Sequence, residues 1–479
     1  MLLKSMRKPL ALMRQSFVVA CTGIALVLAG CVSNGGPAAS VGPPPKNIII
    51  MFADGAAPTQ WDFGRYSSKL LRNQPFAVTD TVFKQGALGL LTTHPANAMV
   101  TDSAAAATAM STGFKTDNFM IGVTRDGKPV RTLVEAAKAA GKRTGLATTS
   151  TVYDASPAGF SVHSVSRGDS QSIVDQYLVL EPDVLLGGGA DYFLPVGMPG
   201  GKRKDGKDLI AAFAAKGYAI ARNTEELKAA SGTRLLGLFA ADSMGFEIDR
   251  SVAKEPSTAE MTAAALRVLS QASPNGFVLF VENENIDTAG HHNDVAALMR
   301  ELWAFDEAVQ VALDFQKRNR DTLVIVASDH ETGGLSITYA QRELSPIWSH
   351  TLFFAGEAQV KLIGGITTSF GALLAKLGKN PPPEALDKLF AQHYSGFRID
   401  PGLRALVLTS QPLDRNFTYG QANVLGRAVS RQTGFYWGTS GHTTQPVLVG
   451  AMGPGAELFR GYQDNTEFGK HLLRLIDGK

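Results

Sequence analysis

The stretch "VTDSAAAATAMSTG" (residues 100–113) sets Asp102 and Ser103 ahead of a run of alanines. Read locally, this is a helix cap. Asp and Ser oxygens accept the free N–H groups of a first turn, and Ala is the best helix former. Read chemically, Ser103 is a nucleophile at a helix N-terminus, where N–H groups and the helix dipole attract anions. Acids and imidazoles recur beside apolar runs further along the chain. Asp54 follows "NIIIMFA"; Glu282, Asp287 and His291 stand in "FVENENIDTAGHHND"; Asp329 and His330 stand in "VASDHETGG"; and His442 precedes "PVLVGAM". One acid at such a place is commonly a cap or turn residue, but several carboxylates gathered together repel unless cations sit among them. Mixed Asp/His ligands suit zinc, and oxygen-rich sets suit magnesium. Asp287 and His291, four apart in a glycine-containing segment, can converge on one ion. Asp329 and His330 are adjacent, so joint ligation requires a turn just past a strand end, which the glycines of "DHETGG" permit.

The elements that must position these residues are legible as apolar runs at 47–53, 144–150, 183–189, 276–282, 322–328 and 446–452, which read as buried strands. Helical patterns fall between them. Ser257 and Glu260 form a capping box ahead of Met261, Ala265, Val268 and Leu269, and Val295, Leu298, Met299, Leu302, Phe305 and Val309 mark a second amphipathic helix. Non-alternating strands separated by helices predict an α/β fold, a three-layer sandwich with a mostly parallel central sheet. In such sheets ligands bind outside the carboxyl ends of the strands, where this chain keeps its acids and histidines. Between Tyr339 and Phe435 the pattern loosens, which predicts an inserted irregular and helical segment at about 340–435, over or beside the sheet edge.

The chain has 479 residues, 44% hydrophobic and 19% charged, with a formal net charge of +3. Lys4, Arg7, Lys8 and Arg14 account for that excess. Without them 42 basic residues face 43 acidic ones, so no basic surface for nucleic acid is expected. Residues 1–30 read as an export leader, a basic start before an apolar stretch too short to be a membrane span. "LAGC", ending at Cys31, resembles the lipobox of bacterial lipoproteins, which implies cleavage before Cys31 and a lipid on its sulfur; the alternative is an ordinary signal peptide cut nearby. The only other cysteine, Cys21, lies inside that leader, so the mature chain can form no internal disulfide. Residues 31–45 read as a flexible tether, and 46–479 as one catalytic domain.

Taken together, the "DG" after the first strand, "TDSAAAATA", "VE…ID…GH", "SDHETGG" and the late "GH…PV…GPGAELFRG" resemble the alkaline phosphatase family, in its order, over residues 46–479. The resemblance implies that Ser103 is a nucleophile that becomes phosphoserine. It implies that Asp287, His291 and His442 hold a zinc that activates water, and that Asp329, His330 and Asp54 hold a second zinc beside the serine oxygen. Glu282 and Asp54 would hold a third metal, usually magnesium, with Ser156 as its hydroxyl ligand and Asp154 near its water. Arg167 would grip the phosphoryl oxygens, while Asp102 caps the helix or orients Arg167. A homodimer, phosphomonoester substrates and a lipid-anchored location outside the cytoplasm are also implied.

This chain departs from the family at a few places. Thr288 stands where His, Lys or Trp is frequent, which leans the third site toward magnesium. Asn283 and Glu284 replace a glycine pair; they could add hydrogen bonds near the site, but the expectation is surface-loop polarity. "GHTTQPV" lacks a common acidic pair. His94, His163, His292, His350, His393 and His471 receive no role. Three other functions compete. A sulfatase needs a Cys/Ser-x-Pro-x-Arg setting that is absent, and a diesterase would want a neutral patch where Arg167 stands. A metal-binding surface lipoprotein without catalysis would have no use for Ser103.

Overall fold

The computed structural model describes residues 43–341 and 352–478. The leader, Cys31, most of the tether and His350 lie outside the described residues. Ten strands form the central sheet: β1 (Asn47–Ala53), β2 (Ala87–Leu91), β3 (Arg143–Thr151), β4 (Val184–Gly188), β5 (Ala219–Ala221), β6 (Leu235–Leu238), β7 (Phe277–Asn283), β8 (Thr322–Ala327), β9 (Val447–Met452) and β10 (Gly461–Gln463). Their order across the sheet is β10-β2-β9-β8-β1-β7-β3-β4-β6-β5. All six apolar runs are strands within a residue of the expected bounds. The four unexpected strands have only three to five residues each, too few to show a pattern.

β1, β7 and β8 are continuous apolar runs because both faces are covered. Ile49, Met51, Leu279, Val281, Val324 and Val326 pack with the helices Thr258–Leu269 and Val295–Arg318. On the opposite face Phe52 and Phe280 meet Phe160, with ring centroids 5.8 and 4.5 Å from it. The Ser257–Glu260 capping box opens the first of those helices as expected.

Register decides what gathers at one edge. Phe52 of β1 lies opposite Glu282 of β7 and Ala327 of β8. Asp54, Glu282 and Asp329 therefore emerge side by side at the carboxyl ends of three adjacent parallel strands. β9 runs against both of its neighbours. Its beginning thus lies beside their ends, which is why His442, though it precedes a strand, reaches the same edge.

The region expected as an insertion carries a short hairpin, Tyr339–Gln341 with Leu352–Phe354, and five helices between Glu357 and Thr433. It packs on helices rather than on a sheet edge. The Phe370 amide donates to Asp294 at the start of Val295–Arg318 (2.6 Å), and Arg300 donates to the Gly364 carbonyl (3.1 Å).

Candidate active site

Ser103 opens the fully buried helix Ser103–Thr112. Asp102 caps it, one carboxylate oxygen accepting the Ala105 amide at 3.0 Å. The alanines allow close approach of two neighbouring helices, not of the sheet. A Cβ on Gly159 would lie 2.7 Å from the Ala107 Cβ, and one on Gly469 would lie 2.9 Å from the Ala109 carbonyl oxygen. The helix is thereby wedged in place, with Ser103 at its inner end.

Both local readings of Asp102 hold at once. Its other oxygen takes Arg167 Nη1 at 3.2 Å, while Arg167 Nη2 donates to Asp154 at 3.0 Å. Burial works against the Arg167 charge, but Asp154 and Asp102 outweigh it and hold its pKa above the ordinary value. Asp154 in turn caps Ala155–Gly159 and accepts the Ser150 hydroxyl at 2.7 Å. The guanidinium is thus clamped in one plane, with donors to spare.

Asp287 and His291 meet because Asn285–His292 is a helix, so residues four apart share a face. His291 Nε2 lies 2.9 Å from Asp287 Oδ2, and His442 Nε2 lies 3.6 Å from Asp287 Oδ1. β8 ends at Ala327, and the turn just beyond it brings Asp329 Oδ2 within 3.2 Å of His330 Nε2. The short pair His442–Thr443 with Glu331–Thr332 then lays the His442 ring on the His330 ring, centroids 3.6 Å apart. Among the described residues two ligand groups result, Asp287 with His291 and His442, and Asp54 with Asp287 and His330.

Hydrogen bonding fixes how the three imidazoles face. His291 Nδ1 lies 2.6 Å from the Ser440 carbonyl and His442 Nδ1 lies 2.8 Å from the Thr101 carbonyl. A carbonyl only accepts, so both Nδ1 atoms carry protons and both Nε2 atoms point inward. The Thr332 hydroxyl donates to Asp287 and so accepts from His330 Nδ1, turning that Nε2 inward as well. There it faces Ser103 Oγ at 3.2 Å, Asp329 Oδ2 at 3.2 Å and Asp54 Oδ1 at 3.5 Å. His291 and His442 present Nε2 atoms 3.3 Å apart.

Asp54 Oδ1, Glu282 Oε1 and Asp329 Oδ2 are buried and accept no hydrogen bond. Burial, then the neighbouring acids Asp329, Asp287 and Glu282, hold Asp54 well above the usual carboxylate range. Burial raises Glu282 similarly, and burial with Asp287 lifts Asp329 to about 7. Burial also pushes Asp287 upward, but His291, His442 and His330 outweigh it and hold it below its ordinary value. Despite burial, Asp287 raises His291 to about 9; burial and His442 push His330 well below its ordinary value. Inward carboxylate oxygens and imidazole lone pairs are a donor set for cations, and cations fit these residues. Ser156 belongs to the same wall, its hydroxyl donating to Asp54 at 3.2 Å.

Residues 45–477 match the family model described as alkaline phosphatase. Alkaline phosphatase 3 of Bacillus subtilis is 33% identical over 453 residues, 90% of this chain and 89% of that one. The solved alkaline phosphatase of Thermus thermophilus superposes with a TM-score of 0.82 at 33% identity, covering 91% of this chain and 92% of that one. A variant of the alkaline phosphatase of the Antarctic bacterium TAB5, solved with magnesium in its M3 site, gives a TM-score of 0.64 at 25% identity over 91% of this chain and 99% of that one. The chain belongs to the alkaline phosphatase family. It is a phosphomonoester hydrolase with a metal site.

Within this phosphatase, several supporting residues escaped sequence reasoning. Thr148 donates to Glu282 at 2.5 Å and Thr332 to Asp287. A threonine in a strand or a turn gives no signal of such a role. Asn283 corrects the expectation of surface-loop polarity. It is the fully buried last residue of β7 and donates to Glu301 at 2.9 Å. Glu284 is half-buried: burial, Asp154 and Asp287 raise it to about 8, and the Thr288 hydroxyl donates to it at 2.8 Å. Thr288 thus serves an acid where the family often sets a cation.

Proposed function

We propose that this phosphatase works through a phosphoserine on Ser103, with two zinc ions and one magnesium ion, and releases inorganic phosphate outside the cytoplasm. The observation that carries this reading is the convergence of three hydrogen-bond-starved carboxylate oxygens and three inward imidazole nitrogens on the flank of Ser103. Asp287, His291 and His442 would hold one zinc and Asp329, His330 and Asp54 the other; Glu282, Asp54 and Ser156 would hold magnesium, with Asp154 nearby. Bound cations there supply positive charge that offsets the phosphoryl dianion and lowers the pKa of a hydroxyl or water at pH values where either is otherwise inert.

The chain's own residues do the rest. Arg167, clamped by Asp102 and Asp154, directs its remaining N–H groups at two phosphoryl oxygens. Ser103, fixed by its wedged helix, attacks phosphorus; its O–P bond forms as the ester O–P bond opposite breaks, freeing the alcohol. Water then cleaves the phosphoserine and restores the hydroxyl. The magnesium assignment is supported by the TAB5 relative. Export and a lipid on Cys31 form part of the proposal, resting on the composition of residues 1–31, as does a homodimer, implied by the family.

The test compares p-nitrophenyl phosphate with bis-p-nitrophenyl phosphate at alkaline pH on protein reconstituted with zinc and magnesium. A large monoester preference that disappears on chelation is expected. A diester preference would overturn the Arg167 clamp.

A further inference from the structure

Four rings form a row through the site. His330 and His442 stack at 3.6 Å and 19°, and His442 and His291 lie at 5.0 Å and 33°. Tyr419 closes the row by stacking on His291 at 4.8 Å and 21°. One end, His330, is fully buried beside Ser103. The other end, Tyr419, is 42% exposed.

The chain holds that tyrosine deliberately against the histidine. The Tyr419 amide donates to Asn423 Oδ1 at 2.9 Å, and Asn423 Nδ2 donates to the His291 carbonyl at 2.8 Å. The neighbouring Thr418 amide donates to Ser440 Oγ at 2.8 Å, and the Ser440 carbonyl is the partner of His291 Nδ1. His291 covers one face of the phenol ring and His292 abuts it at a steep angle, centroids 5.2 Å apart. With both histidines packed on it, Tyr419 still keeps 42% of its surface open.

In-line displacement gives this position a meaning. The leaving oxygen departs opposite the nucleophile, so with Ser103 at the His330 end the alcohol extends toward the His291 end. Resting on the monoester reading above, we propose that Tyr419 is a stacking platform for the leaving alcohol and selects phosphate monoesters whose alcohol bears a flat aromatic ring, an aryl group or a nucleobase. Aromatic faces are tolerant of the ring they meet, so the subsite adds selectivity for a class of ester and not for one compound.

The experiment measures kcat/KM on two matched pairs, adenosine 5′-monophosphate against ribose 5-phosphate and phenyl phosphate against glycerol 3-phosphate. Wild type is compared with Tyr419→Ala and Tyr419→Phe; dividing variant by wild type for each ester cancels intrinsic leaving-group reactivity. Tyr419→Ala is expected to lower the ring-bearing member of a pair relative to its partner by about tenfold, the scale of one base–aromatic stack, while Tyr419→Phe retains the preference. A fall in the nucleotide pair alone assigns the platform to nucleobases, and one in the phenyl pair alone to short aryl esters. An equal loss on all four esters, or no loss, overturns the inference and leaves Tyr419 as a prop for His291. Absence of wild-type turnover on every ester would instead refute the monoester reading, and this inference with it.

Discussion

Arg167 does two jobs with one group. In the proposed mechanism it binds a phosphoryl dianion, and it does so from a fixed position, which Asp102 and Asp154 impose by taking one N–H from each side of its fork. A lysine carries the charge but is a single flexible point that cannot span both acids. Arg167→Lys is therefore expected to lower kcat/KM for a monoester by about 10- to 100-fold, the worth of one charge-assisted hydrogen bond, and to weaken inhibition by inorganic phosphate in parallel. Unchanged values of both would show that the clamp plays no part. The same residue shows what sequence can reveal. Ser103, the clustered acids and the histidines were legible as candidates because their types are chemically costly to gather. Thr148, Thr332 and Asn423 were not, because their contribution is hydrogen bonding that any threonine or asparagine could make.

The serine helix is held by its neighbours, and one of those contacts titrates. His163, left without a role by sequence reasoning, bridges Gly122 O at 2.6 Å through Nδ1 and Glu135 Oε1 at 3.0 Å through Nε2. Gly122 is tied to the serine helix through its amide, which donates to the Thr108 hydroxyl at 2.9 Å. Glu135 belongs to the capping box of Leu133–Ala139. Both ring nitrogens face acceptors, so the charged imidazolium satisfies both. The Glu135 hydrogen bond, against opposing burial, raises its pKa above the ordinary value of 6.5. A folded-state pKa above the unfolded one gives stability that is fully present below about pH 6.5 and is lost as pH rises through the folded value. The stability gap between wild type and His163→Gln, measured by urea unfolding, should be widest near pH 6 and shrink on the alkaline side. A gap constant from about pH 6 to 9 would show that the charge is not what holds these elements together. At this scale the long strands and the amphipathic helices were readable from periodicity. The helix Asn285–His292, which carries two proposed zinc ligands, was not, because every residue but Ile286 is polar or small and its inward face is a site instead of a core.

Across the whole molecule, one topological feature brings the site together: β9 is reversed in an otherwise parallel sheet, so His442 arrives from more than a hundred residues away at the edge where Asp54, Glu282 and Asp329 end their strands. Strand direction leaves no mark in an apolar run, so this was invisible beforehand. The five helices between Glu357 and Thr433 were equally unreadable in detail, yet they deliver Tyr419 and Asn423 to His291. Fold and site are therefore one argument. A buried cluster of carboxylates and inward imidazoles demands cations, and the serine beside it is where their charge becomes useful. The most direct measurement quenches the protein in acid during turnover of a monoester and maps phosphate by peptide mass spectrometry. Phosphate on Ser103, absent in Ser103→Ala along with turnover, is the expected result. An unmodified Ser103 peptide, with Ser103→Ala still releasing phosphate at the wild-type rate, would contradict the account.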